Sequence, residues 1–102
     1  MYEVFETAQY QKWLKGLRDN HARIRIGMRI ERLELGNFGD HKDFGDIAEL
    51  RIDYGPGYRV YYKKQGSEII ILLAGGDKKT QSRDIEAARK IASDLQEKED
   101  HD

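Results

Sequence analysis

Residues 48–79 read AELRIDYGPGYRVYYKKQGSEIIILLAGGDKK, and this stretch decides the fold. In 48–54, Ala48, Leu50, Ile52 and Tyr54 are apolar, while Glu49, Arg51 and Asp53 are charged. That alternation predicts a strand with one buried face. In 58–63, Tyr58, Val60 and Tyr62 continue the apolar phase, and Arg59, Tyr61 and Lys63 the polar one. Gly55-Pro56-Gly57 is the turn between them. Both strands bury even-numbered residues, so the hairpin loop must hold an odd number of residues. A three-residue loop, 55–57, predicts that Tyr54 faces Tyr58, Asp53 faces Arg59 and Arg51 faces Tyr61. Arg51 and Arg59 are then diagonal neighbours, roughly 7–8 Å apart, on an open sheet face.

Gln65-Gly66-Ser67 turns the chain again. Glu68–Ala74 (EIIILLA) scarcely alternates, which suits a central strand covered on both sides. Gly75-Gly76-Asp77-Lys78-Lys79 then reads as a flexible basic loop. Thr80 is the expected cap of a last helix whose stripe is Ile85, Ala88, Ile91, Ala92 and Leu95.

Upstream, YEVFE (2–6) predicts a first strand, and Thr7 caps a helix carrying Tyr10, Trp13, Leu14 and Leu17. Asp19 or Asn20 caps a second helix to about Leu35, with Ala22, Ile26, Ile30 and Leu33 on its core face. Gly36 suits the left-handed residue that ends it. NFGDHKDFGD (37–46) reads as a loop. The predicted order is β-α-α-β-β-β-α, an α+β domain with a mostly antiparallel sheet, an N-terminal helical hairpin and a C-terminal helix. The domain is expected to span 1–95, followed by an acidic, mobile tail at 96–102.

The chain has 102 residues with 38% hydrophobic and 36% charged, enough for one small folded domain. It has no cysteine, which excludes a disulfide scaffold, a thiolate zinc site and thiol catalysis. The longest apolar run, IIILLA at 69–74, is strand-sized, and no signal peptide is evident at the start. A cytoplasmic location with no membrane partner is the expectation. The net charge of −1 hides an uneven distribution. Lys12–Arg32 carries seven basic and two acidic residues, whereas the chain from residue 80 carries four basic and seven acidic. Arg23, Arg25, Arg29 and Arg32 on the second helix serve either solubility or a nucleic-acid or ribosome contact.

Metal and nucleotide chemistry find little support. His21, His41 and His101 lack ligand spacing, Asp40, Asp43 and Asp46 lack the calcium-loop pattern, and no phosphate-loop motif occurs. No metal or cofactor is expected. What remains is a group of cations and tyrosines: Arg51, Arg59, Tyr61, Lys78 and Lys79. Arginines present forked donors to phosphate oxygens and stabilise charge building at phosphorus. Tyrosine can stack on a base. A lysine serves as general base only when neighbouring cations favour its neutral form. Such a group suits attack of an RNA 2′-hydroxyl on the adjacent phosphate. The alternative reading is an ordinary charged sheet face with Asp53 neutralising Arg59.

ELRIDYGPGYRVYY together with IIILLAGGDKKTQSRDIEAARKIA resembles the RelE/ParE superfamily of type II toxin–antitoxin toxins. The closer resemblance is to its phage-derived addiction-module killer proteins, related to HigB-type toxins, and it runs from Phe5 to about Leu95. It implies a toxin that inhibits translation by cleaving mRNA on the ribosome without a cofactor. Its partners would be the ribosome, mRNA and a cognate helix-turn-helix antitoxin, with operator DNA reached through the antitoxin. Carried onto these positions, Arg51 and Arg59 are catalytic cations, Arg59 stabilising the transition state, and Lys78 and Lys79 are further catalytic basic residues. Tyr61, Arg23, Arg25, Arg29 and Lys63 are the expected RNA-binding residues. RelE has a tyrosine just beyond the basic loop, and KKTQSRDI has none; Tyr61 is the expected substitute. The same superfamily also allows a ParE-like inhibitor of DNA gyrase, or a non-catalytic corepressor.

Overall fold

A computed structural model describes the backbone of residues 1–100 and the side chains through residue 98. The elements are β1 (Glu3–Glu6), α1 (Ala8–Gly16), α2 (Asn20–Glu34), β2 (His41–Asp43), β3 (Ala48–Ile52), β4 (Tyr58–Gln65), β5 (Ile69–Asp77), a 3-10 turn (Lys78–Thr80) and α3 (Gln81–Asp100). The sheet has five strands in the order β1-β5-β4-β3-β2. β1 runs parallel to β5, and the other pairs are antiparallel. The chain is α+β, in the arrangement predicted and compatible with a RelE-like fold.

Local chemistry sets the boundaries. The Thr7 hydroxyl accepts the Tyr10 amide at the start of α1. The Asp19 carboxylate accepts the amides of His21 and Ala22 at the start of α2. Gly36, at φ +86°, ends α2 by returning its amide to the Leu33 carbonyl.

Three layers result. The even face of β3 and β4 packs against α1 and α2 around Tyr10, Ile26, Leu33, Leu50, Val60, Tyr62, Ile70 and Leu72. The odd face packs against α3 around Ile47, Tyr61, Leu73 and Ala88. β5 lies between β1 and β4 with a helical layer on either side, which is why its sequence does not alternate. A bulge between Tyr61 and Tyr62 leaves Leu73 outside the pairing.

Four expectations are corrected. The 37–46 segment is not all loop, because His41–Asp43 pairs with Ala48–Leu50 as an edge strand. The β3–β4 loop is odd, as predicted, but holds five residues, 53–57, so Ile52 faces Tyr58 and Arg51 faces Arg59. Tyr54 leaves the ladder because its amide turns back to the Ile52 carbonyl and its hydroxyl donates to Asp19, 3.0 Å away. Gly75–Asp77 is strand, paired with Val60, Arg59 and Tyr58, and Lys78–Thr80 is helical turn. Asp77, not Thr80, is the cap of that turn. Finally, α3 continues to Asp100, so 96–100 is helix, and the part of the expected tail at 101–102 lies outside the described residues.

Candidate functional site

Arg51 and Arg59 are register partners on adjacent antiparallel strands, both on the odd face. Two cations directly opposite each other repel. The fold answers this with Glu49, two residues before Arg51 and wholly buried. Its Oε1 accepts the Arg51 Nε at 2.9 Å and lies 4.0 Å from the Arg59 Nε. Its Oε2 accepts Gln81 Nε2 from the first turn of α3 at 2.8 Å. Sequence reasoning missed Glu49 and Gln81. The signal for Glu49 was present: a carboxylate in the arginines' strand phase, as Asp53 also is. Gln81 carried no local signal.

The arginines differ in freedom. The Arg51 side chain is 34% exposed and Arg59 12%. The hydrogen bond that Arg51 donates to Glu49 favours the charged guanidinium, raising its pKa above the usual arginine value. Arg59 Nη1 donates to the Gly57 and Tyr58 carbonyls at 3.1 and 3.2 Å, fixing the guanidinium at the hairpin end. The Lys78 amide donates to the same Gly57 carbonyl at 2.9 Å. A Cβ built on Gly57 would lie 3.4 Å from Lys78 Cβ and 3.5 Å from Arg59 Nη1, so the backbone at 57 brings the two side chains together. Gly57 has φ +80°, a conformation that favours glycine. Lys78 and Lys79 are exposed, and an open cleft of about 350 Å³ runs over Lys78–Arg83 beside them.

The odd face is not open as predicted, since α3 covers its middle. Tyr61 is wholly buried beneath α3, so it cannot stack on a base. Burial raises its pKa, and the nearby Glu49 carboxylate raises it further, so the hydroxyl stays protonated. Although close to Glu49, that hydroxyl lies outside hydrogen-bond geometry; it and the Arg59 Nε are buried without a hydrogen-bond partner among the described residues.

The other expected RNA contacts do not converge here. α2 packs on the opposite layer, so Arg23, Arg25 and Arg29 lie across the sheet from the arginine pair. Arg23 donates to the Leu17 carbonyl and Asn20, bracing the α1–α2 connection. Arg29 donates to the carbonyls of Arg51, Phe38 and Asp40 and ties the 36–40 loop to β3. Both guanidiniums are engaged within the fold. Arg25 is exposed and stacks over the Tyr54 ring at 4.7 Å, beside a larger cleft of about 420 Å³ along α2. Lys63 lies beyond Tyr61 along β4, next to Asp46 and Arg89. Among the described residues no group of three His, Asp or Glu side chains is gathered as a metal site. No helix among them is long and apolar enough to cross a membrane.

Two comparisons bear on this arrangement. Residues 12–96 match the family described as phage derived protein Gp49-like (DUF891). A Haemophilus influenzae protein, described as uncharacterized, is 48% identical over 94 residues, covering 91% of this chain and 95% of its own. With its α+β sheet, its helical layers and a family match over most of its length, the chain belongs to the Gp49-like family of phage-derived proteins, a toxin-like family of RelE/HigB type.

Proposed function

We propose that the protein is the toxin of a type II toxin–antitoxin module, and that it cleaves mRNA on the ribosome. The observation that carries this reading is the cross-strand pair Arg51–Arg59, held from behind by buried Glu49 and flanked by Lys78. Two guanidinium groups and one carboxylate leave the cluster with one net positive charge. Lys78 and Lys79 add to that positive balance, which suits the negative charge of a phosphodiester.

In the proposed reaction the RNA 2′-oxygen attacks the adjacent phosphorus. The bond to the 5′ oxygen breaks, leaving a 2′,3′-cyclic phosphate and a 5′-hydroxyl. The 2′-hydroxyl proton passes to a base, and the leaving 5′ oxygen takes up a proton. Charge builds on the non-bridging oxygens as phosphorus becomes five-coordinate. Arg59 meets that charge with donors already oriented by the hairpin, so little reorganisation is needed during the step. Arg51 holds the phosphate as a second fork. Lys78 and Lys79 are the two candidates for moving the proton, and the Lys78 Cβ and the Arg59 Nη1 both lie against Gly57. A cognate antitoxin, proposed as a helix-turn-helix protein, would block this surface in the resting cell.

Primer-extension mapping of cellular mRNA after induction without antitoxin tests the reading. The expected result is discrete cuts in translated mRNA, in a fixed position relative to the reading frame. Growth arrest with intact ribosome-bound mRNA would reject the nuclease. Stabilised gyrase–DNA cleavage complexes would favour a gyrase inhibitor instead.

A further inference from the structure

We infer that Glu49 and Gln81 form a positioning unit that sets the direction of Arg51 and offsets one of the two positive charges of the arginine pair that would meet the phosphodiester. The inference rests on the nuclease reading for its catalytic consequence, but its geometry can be measured without that reading.

Three observations carry it. First, Glu49 is wholly buried, yet its two oxygens face different elements: Oε1 the arginines, Oε2 the Gln81 amide on α3. A buried carboxylate is costly unless its lone pairs are met, and here each oxygen has a donor. Second, the pair it serves is a directly opposed cation pair, which gains nothing for folding by itself. A side chain that only stabilised the sheet would not need an arginine on both strands. Third, Gln81 begins α3 and lies in the wall of the cleft that also holds Lys78 and Lys79. The Glu49 orientation is therefore tied to the same turn that presents the lysines.

The consequence is a charge argument. With Glu49 the cluster is +1; with a neutral side chain at 49 it is +2. Glu49→Gln keeps the size of the side chain and one acceptor oxygen, but removes the charge that holds the Arg51 guanidinium and faces that of Arg59. RNA should still bind, and bind more tightly, because the cluster is more cationic. Turnover should fall, because Arg51 is no longer aimed at the phosphate. An effect on turnover without loss of affinity is what separates positioning from simple loss of fold.

Two measurements on the full chain test this. The first is NMR of the arginine Nε–H signals in the free protein. The wild type should show a shifted, slowly exchanging signal for Arg51, and Glu49→Gln should lose it. An Arg51 signal unchanged in Glu49→Gln overturns the positioning role, whatever the protein's activity. The second is cleavage of mRNA on translating ribosomes, with KM and kcat measured separately. Glu49→Gln should lose on the order of a hundredfold in kcat, the scale of a small misplacement of catalytic groups, with KM unchanged or lower. Wild-type kcat in this variant, or a loss confined to KM, overturns the inference. Gln81→Leu removes one anchor, leaves the carboxylate in place and covers the case in which Glu49→Gln does not fold. It should reduce kcat by a smaller factor and weaken the Arg51 protection; no change in either overturns the inference. If wild-type protein cuts no mRNA, the nuclease reading fails, and the NMR result still decides the positioning.

Discussion

Arg51 and Arg59 face each other directly across the β3–β4 ladder, and Arg59 is the more deeply buried of the two. Its guanidinium is fixed by two main-chain carbonyls at the hairpin end. Arg59→Ala should therefore abolish toxicity at equal expression, with mRNA cleavage reduced on the order of 10²–10³-fold, the scale of losing a preorganised donor. Arg59→Lys should recover little, because a lysine cannot reproduce the planar fork. Folding should persist, since Glu49 keeps Arg51 and Gln81 as partners. Primer extension on ribosome-bound mRNA, beside a thermal melt of each variant, checks both halves. Full toxicity in a folded Arg59→Ala protein would show that the site is elsewhere.

Tyr61 offers a contrast on the same strand face. It was the expected base-stacking tyrosine, but α3 covers it, and its hydroxyl is buried without a hydrogen bond among the described residues. An unmet buried hydroxyl costs stability on the order of 1–3 kcal/mol. Tyr61→Phe should therefore leave stability unchanged or raise it by up to about 1 kcal/mol, and leave mRNA cleavage within about threefold of wild type. Urea melts and the cleavage assay decide it. A large loss of turnover in a stable Tyr61→Phe protein would restore a direct role for that hydroxyl.

These two residues show which parts of the site were legible in the sequence. Period-two alternation put Arg51, Arg59 and Tyr61 on one face, and the odd-loop rule held, because both follow from the pleat alone. The register did not follow. It depends on Tyr54 leaving the ladder to bond Asp19, 35 residues away, and alternation carries no information about that contact. The burial of Tyr61 depends on where α3 lies, which strand patterning cannot reveal. Gly75 and Gly76 looked like loop residues because glycine is rare in strands. Here they are strand residues lacking side chains because Trp13 and Asp84 occupy the space. The strand pattern singled out the cations, but nothing local to Glu49 or Gln81 marks them as the groups that hold Arg51. Helix caps at Thr7 and Asp19 were legible because capping is local.

The Tyr54–Asp19 bond, made where the chain leaves the β3–β4 ladder, also predicts a pH dependence. The Tyr54 hydroxyl, with the amides of Ala22 and His21, holds the Asp19 carboxyl below its ordinary 3.8. In return Asp19 raises the Tyr54 pKa above its ordinary 10.0. A depressed carboxyl contributes stability above its unfolded pKa and loses it as pH falls through the folded value. A raised phenol contributes stability below its unfolded pKa and loses it as pH rises through the folded value. The difference in Tm between wild type and Tyr54→Phe should therefore be greatest between about pH 4 and pH 10 and shrink at both ends. Part of the acid slope should survive in Tyr54→Phe, because the two backbone amides still bind Asp19. A difference that failed to shrink below about pH 4 and above about pH 10 would mean that the bond does not form in solution.

Gly75 and Trp13 give a test of the β5–α1 packing that brings the site's floor into register. A Cβ at position 75 would fall within the indole of Trp13, against Cδ2, Cε3 and Cζ3. Gly75 also pairs with Val60, one residue from Arg59, so any backbone shift here passes directly to the arginine. Gly75→Ala should destabilise the protein by about 1–3 kcal/mol through overpacking. Trp13→Ala alone should cost about 3–5 kcal/mol as a large-to-small change, less to the extent that the half-exposed indole is already hydrated. The two effects should not add. Once the indole is gone, the new methyl group enters space the ring has left, so Gly75→Ala should cost much less in the Trp13→Ala background. Urea denaturation of the four proteins of the cycle reads the coupling, expected at about 0.5–3 kcal/mol for residues in contact. Additive costs would mean that the glycine is required for some reason other than the indole. In the single Gly75→Ala variant, cleavage should also fall if the Arg59 position is strained, and it should recover in the double variant.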